Sequence, residues 1–232
     1  MLRKISTFWL RYIHPRLAPL IATIGIVGLI SCLLILFVLA NLAEEVLERE
    51  AFAFDTTFLL WLHQFANPTL DNLMLAITSL GSSTTVVVVA ALTLGTLWWR
   101  HYRVETYIFV LTCLGGLILN RGLKLFFSKP RPQLWTLLIS EKSFSFPSGH
   151  ALGSMVLYGF IAYILATHYR KFSQIIYTLA VILIVAIGTS RLYLGVHWPT
   201  DIIAGYGIGF LWLMICITML KLQRLRQGQS LD

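Results

Sequence analysis

Long unbroken apolar runs, rather than alternating ones, organise this chain. Six of them approach or exceed the roughly 20 residues that cross a bilayer as a helix: about 17–41, 70–99, 105–127, 149–168, 173–190 and 201–222. Each is apolar on every side, as a helix facing lipid is, so a periodic stripe carries no information here. None alternates in the way a membrane barrel strand does. The second run is long and holds Gly81-Ser82-Ser83 in its middle, which predicts a break. Between the first two runs lies an acidic stretch with Glu44, Glu45, Glu48 and Glu50. An aromatic one with Phe52, Phe54, Phe58, Trp61 and Phe65 follows. Such rings settle at the membrane interface, either as packing over the bundle or as a guide for lipid. The pattern predicts an all-α fold: a polytopic six-span transmembrane helical bundle, one domain over 1–232, with an outer interfacial helix.

Composition agrees with that pattern. The chain is 57% hydrophobic and 12% charged, with a mean hydropathy of +0.78. A soluble domain carries about 25% charged residues. A disordered tail protein and a soluble basic DNA-binder are both excluded. The net charge of +8 becomes informative once it is placed. Arg3, Lys4, Arg11 and Arg16 precede the first run. Arg100 and Arg103, then Arg170 and Lys171, then Lys221, Arg224 and Arg226 fall on the same side of the membrane. The positive-inside rule makes that side cytoplasmic, with both termini there. The basic balance therefore reports topology in the cell membrane, and no nucleic-acid partner is implied. Val38-Leu39-Ala40 resembles a cleavage site, but the first apolar run is too long for a signal peptide and reads as an uncleaved anchor. Cys32, Cys113 and Cys216 each lie inside an apolar run, which argues against a disulfide framework or a zinc site. The sequence leaves the oligomeric state open.

The remaining polar residues converge on one face. Lys124 ends the third span, and Arg131 lies in the loop after it. Pro147-Ser148-Gly149-His150 opens the fourth span, Arg191 closes the fifth, and His197 and Asp201 open the sixth. Span parity puts every one of them at the outer end. A helix N-terminus offers unpaired N–H groups and a positive dipole end. Ser148 adds a hydroxyl there, and Gly149 admits close backbone approach. Lys124, Arg131 and Arg191 match a phosphomonoester of about −1.5 to −2 charge. Pro199 suits the first helical position, which places Asp201 in the first turn, turned back toward His197. A carboxylate there fixes the imidazole tautomer and frees the other nitrogen as a nucleophile. His150, from another span, is the candidate general acid. Taken singly, these are a helix cap, a solvated turn and a capping pair. Their shared face is what favours chemistry. Lys129, Glu141 and Lys142 read as plain loop residues rather than as residues that shape substrate choice, Arg121 as snorkelling or as site support, His14, His101 and His168 as interfacial on the inner side, and His63 as part of the outer aromatic stretch rather than of the site.

Lys124, six residues, Arg131-Pro132; then Pro147-Ser148-Gly149-His150; then Ser190-Arg191, five residues, His197, three residues, Asp201: this three-part set resembles the signature of the type 2 phosphatidic acid phosphatase superfamily. The motifs span 124–201 and the six-span layout extends the likeness over most of the chain, the first hundred residues adding only topology. The resemblance implies a phosphohistidine on His197, held by Asp201, with His150 protonating the leaving oxygen and later activating water. It implies that Lys124, Arg131, Ser148, Gly149 and Arg191 hold the phosphate oxygens, without a metal or other cofactor. The implied partner is a lipid phosphate in the bilayer: phosphatidate, phosphatidylglycerophosphate or, as an alternative, undecaprenyl diphosphate. The motifs leave room for a lipid phosphoryl transferase and, least favoured, for a non-enzymatic membrane scaffold. A metal site built from His150, His197 and Asp201 is disfavoured by the three cations beside it.

Overall fold

The computed structural model describes residues 14–47 and 53–227. Arg3, Lys4, Arg11, Glu48, Glu50 and Phe52, whose charges and rings entered the topology above, lie outside them. Among the described residues eight α-helices follow one another: α1 His14–Leu47, α2 Ala53–His63, α3 Pro68–Ser79, α4 Ser83–Trp99, α5 Arg103–Phe127, α6 Gly149–His168, α7 Ser173–Tyr193 and α8 Pro199–Arg226. A short 3₁₀ turn at Arg170–Phe172 precedes α7, and no strand occurs among the described residues. Among the described residues five helices are long and apolar enough to cross a membrane, and α3 with α4, bent by 42° at their break, makes up to a sixth if the pair is one span. The chain is a multi-pass helical membrane protein.

Helix boundaries follow local chemistry. Asn67 caps α3, its Oδ1 accepting from the N–H groups of Thr69 and Leu70 at 3.1 and 3.0 Å, with Pro68 in the first position. Such a cap contributes about 1 kcal/mol. Ser82 begins α4 in the same way, accepting from Thr85 N–H at 3.3 Å. The break therefore falls between two capped helices at Leu80-Gly81-Ser82. Helix α1 continues to Leu47 and so carries Glu44 and Glu45 in its last turns, with a non-helical kink at Gly25.

In lipid, apolar surface gains little by leaving the solvent, so close packing of small residues drives helix association. The core sits between α5, α6 and α8, around Phe109, Leu157, Phe160, Leu213 and Leu220. At Gly205 of α8 the backbones come close, and a Cβ there would fall 2.8 Å from the Ser148 carbonyl oxygen. That approach joins the N-termini of α6 and α8, and Ser148 N–H donates to Asp201 O at 3.0 Å. Outward-facing Val87, Val88, Leu92, Leu114, Ile118, Leu179 and Ile182 stay exposed, as lipid contact requires. Helix α2 lies across one end of the bundle. Phe54, Phe58, Trp61 and Phe65 form an outward ring ladder at centroid spacings of 5.8, 5.7 and 5.3 Å, while Asp55 and Leu59 are buried beneath. The opposite end of the bundle is tied by Arg224, which bonds Glu105 through Nε and Nη2 at 3.1 and 2.6 Å.

Candidate active site

The C-terminal ends of α5 and α7 and the N-terminal ends of α6 and α8 meet under the segment 128–148. That segment has no regular structure and is fixed by side chains instead. Lys124 donates to the carbonyls of Phe144 and Ser145, Trp198 Nε1 donates to Pro130 O at 3.1 Å, and Arg131 Nε donates to Ser143 O at 2.7 Å. A cavity of about 360 Å³ opens there, with Lys124, Arg131, Glu141, Gly149, His150 and His197 at its polar end. It continues along Val86, Cys113, Leu117, Val156 and Leu157, an apolar wall supplied by α4, α5 and α6.

His197 is 1% exposed, in the turn before α8. Pro199 takes the first helical position and Asp201 the third, so the carboxylate turns back. Asp201 Oδ2 lies 3.2 Å from His197 Nδ1 and accepts from Trp198 N–H at 2.9 Å. On the other side of the ring, Arg131 Nη1 lies 3.2 Å from Nε2. A guanidinium can only donate, so Nε2 carries the lone pair and Nδ1 the proton shared with Asp201. The geometry fixes the tautomer from both sides and presents an unprotonated Nε2 to the cavity. Burial, with Arg131 and Arg191 nearby, outweighs Asp201 and pushes the His197 imidazole down to about 4.

Arg191 is 1% exposed. Its Nη1 donates to Thr78 Oγ1 at 3.0 Å and its Nη2 pairs with Glu141. Its buried Nε has no acceptor among the described residues. Glu141 lines the cavity and also stands 3.9 Å from Arg131 Nη2. Burial pushes the Glu141 carboxyl up, but Arg191 and Arg131 prevail and hold it below the ordinary carboxylate range. His150 lines the cavity from the first turn of α6, packed against the α3–α4 break. A Cβ on Gly81 would fall 2.8 Å from His150 Cδ2 and 2.7 Å from Ile187 Cγ2, so only glycine lets the break approach this imidazole so closely.

The structure thus gathers Lys124, Arg131, Gly149, His150, Arg191, His197 and Asp201 at one end of the bundle. Ser148 holds the N-cap position of α6. It is fully buried, and its Oγ caps α6 by accepting from Ala151 N–H at 3.4 Å. Two expectations need correction. Lys129 and Glu141 are not plain loop residues: Lys129 Nζ sits 3.2 Å from Asp201 Oδ1, and Glu141 pairs with Arg191. Nor do the first hundred residues supply topology alone, since Asp55, Thr78 and Gly81 all reach the site. Ser145, which no motif marks, also belongs there; its buried hydroxyl donates to Asp201 Oδ2 and lies 3.4 Å from His197 Nδ1.

Comparison with known proteins fits this arrangement. The PAP2 superfamily pattern matches residues 105–225. The chain belongs to the PAP2 superfamily. Within it, phosphatidylglycerophosphatase B of Bacillus subtilis is 33% identical over 147 residues, which cover 62% of this chain and 72% of that protein. Undecaprenyl-diphosphatase of Sulfolobus acidocaldarius is 30% identical over 146 residues, 61% of this chain and 66% of that one. The crystal structure of a transmembrane PAP2-type phosphatidylglycerolphosphate phosphatase from Bacillus subtilis superposes with a TM-score of 0.70 at 27% identity, covering 87% of this chain and 98% of that one. Aquifex aeolicus LpxE shares the fold at a TM-score of 0.60 and 24% identity, covering 72% and 97%.

Proposed function

We propose that this PAP2 superfamily member, a membrane lipid phosphatase, hydrolyses a lipid phosphomonoester of the phosphatidate or phosphatidylglycerophosphate type through a phosphohistidine on His197. The observation that carries the reading is the His197 ring, pinned between Asp201 and Arg131 with Nε2 at the polar end of a cavity whose far wall is apolar. The headgroup enters beside Lys124, Arg131 and the α6 N-terminus at Ser148 and Gly149. Its negative charge displaces Glu141 from Arg191, whose Nε then gains an acceptor. The Nε2 lone pair attacks phosphorus as the bond to the lipid oxygen breaks, and His150, which takes up a proton when the phosphate anion binds beside it, gives that proton to the lipid oxygen. Neutral His150 then takes a proton from water. The hydroxide oxygen attacks phosphorus, the N–P bond breaks, and inorganic phosphate leaves.

The test is phosphate release by the purified chain in detergent with EDTA. Phosphatidate, phosphatidylglycerophosphate and undecaprenyl diphosphate are assayed in parallel. Turnover of either glycerolipid is expected. Preference for the polyprenyl substrate would transfer the assignment to the diphosphatase reading, which the Sulfolobus relative favours. Silence on all three would sink the lipid phosphatase reading of this site.

The site faces the outside of the cytoplasmic membrane in this reading, with both termini inside. Support comes from Arg100, Arg103, Arg170, Lys171, Lys221, Arg224 and Arg226, which fall at the helix ends away from the site. Exposed Lys142 lies on the segment over the cavity. In intact cells, Lys142→Cys is expected to react with an impermeant maleimide added outside, the parent chain serving as blank. Labelling only after permeabilisation would reverse the orientation.

A further inference from the structure

One buried carboxylate in this region has no part in the chemistry above. Asp55 belongs to the interfacial helix α2, outside the residues that match the superfamily. It is 1% exposed beneath a face of aromatic rings. Its Oδ1 accepts from the backbone N–H of Thr200 at 3.1 Å and its Oδ2 from the Thr200 hydroxyl at 2.7 Å. The Thr200 oxygen accepts in turn from Lys129 Nζ at 2.9 Å. Lys129 Nζ stands between two carboxylates, 3.6 Å from Asp55 Oδ2 and 3.2 Å from Asp201 Oδ1. Trp198 N–H and Thr200 N–H, both at the start of α8, are therefore satisfied by two different aspartates, one from α8 itself and one from α2.

The charge arrangement has a consequence for His197. Asp201 Oδ2 already takes Ser145, Trp198 N–H and the His197 Nδ1 proton. An ammonium 3.2 Å from the other oxygen draws negative charge away from the imidazole and lowers its basicity. A second carboxylate on that ammonium opposes the pull, and the Thr200 bridge fixes where the ammonium sits. Burial pushes the Asp55 carboxyl up, while Thr200 and Lys129 hold it back.

We propose that Asp55 is a positioning residue for the phosphatase reaction, holding Lys129 so that Asp201 keeps its charge directed at His197. This role presupposes His197 as the nucleophile. It also makes the interfacial helix part of the catalytic apparatus rather than a lid over it.

The test is a double-mutant cycle in detergent with the best of the three lipids above. Asp55→Asn is expected to lower kcat about tenfold to a hundredfold. KM and inhibition by vanadate should hold, since Lys124, Arg131 and Arg191 are untouched. Lys129→Gln placed on top of Asp55→Asn removes the uncompensated pull, so the double variant should recover kcat toward that of Lys129→Gln alone. A scaffold role for Asp55 predicts losses that multiply instead, and that outcome overturns the proposal, as does a wild-type kcat in Asp55→Asn. If Asp55→Asn does not fold, Thr200→Val cuts the same bridge at the hydroxyl. A fall in kcat at constant KM then supports the proposal, and an unchanged kcat overturns it. His197→Ala run alongside separates the two levels. A silent His197→Ala beside a fully active Asp55→Asn defeats the positioning role alone, whereas an active His197→Ala defeats the nucleophile assignment itself.

Discussion

His197→Ala is expected to abolish phosphate release, by on the order of 10⁴-fold or more, because removing a nucleophile eliminates the covalent route rather than weakening it. The two groups that pin the ring cannot replace it. Asp201 is fully buried behind the ring, and Arg131 can only donate. A second readout separates a lost nucleophile from a damaged fold. Quenching the wild type in alkali during turnover of a radiolabelled lipid phosphate should leave phosphate on the protein, and His197→Ala should carry none. Label persisting on the variant would place the covalent step on another residue. A third readout follows from burial. The folded imidazole titrates at about 4, against an unperturbed value of about 6.5 in the unfolded chain. Between those values the unfolded state binds more protons, so stability rises with pH. This contribution is complete above about pH 6.5 and is lost as pH falls toward about 4. Thermal unfolding in detergent should therefore depend less steeply on pH across that window in His197→Ala than in the wild type.

What the sequence could reveal follows from the range over which each signal acts. Lipid makes apolarity continuous along a helix, so spans are visible without knowing their neighbours. The motifs Pro147–His150 and Arg191–Asp201 are visible because each is held by a few adjacent backbone bonds, such as Pro199 opening α8 and Asp201 turning back onto Trp198 N–H. Asp55 has no such local mark. An aspartate in the first turn of a helix is an ordinary favourable charge, and its true partner, Thr200, is 145 residues away. Thr78 and Gly81 look like punctuation of a broken span until the bend places one on Arg191 and the other against His150. Ser145, Lys129 and Glu141 sit in a segment without periodicity, where sequence gives no direction to a side chain. Being the one carboxylate of α2, among mostly apolar and aromatic neighbours, was the signal available for Asp55, since an unpaired charge there would be costly.

Arg191→Lys is expected to lower kcat/KM by about 10²- to 10³-fold although the charge is kept, the range seen when one preorganised donor to a developing anion is lost. The reason is the fork. Arg191 Nη1 is committed to Thr78 Oγ1, Nη2 faces Glu141, and the buried Nε has no acceptor among the described residues. A buried donor left unsatisfied is costly in an ordinary core. Here the cost has a use, because a phosphate oxygen that displaces Glu141 can meet Nη2 and Nε together while Thr78 keeps the plane of the guanidinium fixed. Lysine offers one compact ammonium on a flexible stem and cannot hold Thr78 and two phosphate oxygens in that geometry. Vanadate provides the discriminating measurement, since it engages the oxyanion cradle without requiring a lipid. Its inhibition constant should rise with the loss in kcat/KM. A variant that unfolds at a lower temperature yet binds vanadate as tightly as the wild type would assign Arg191 to packing between α7 and the α3–α4 bend, and would leave Lys124 and Arg131 as the anion-binding pair.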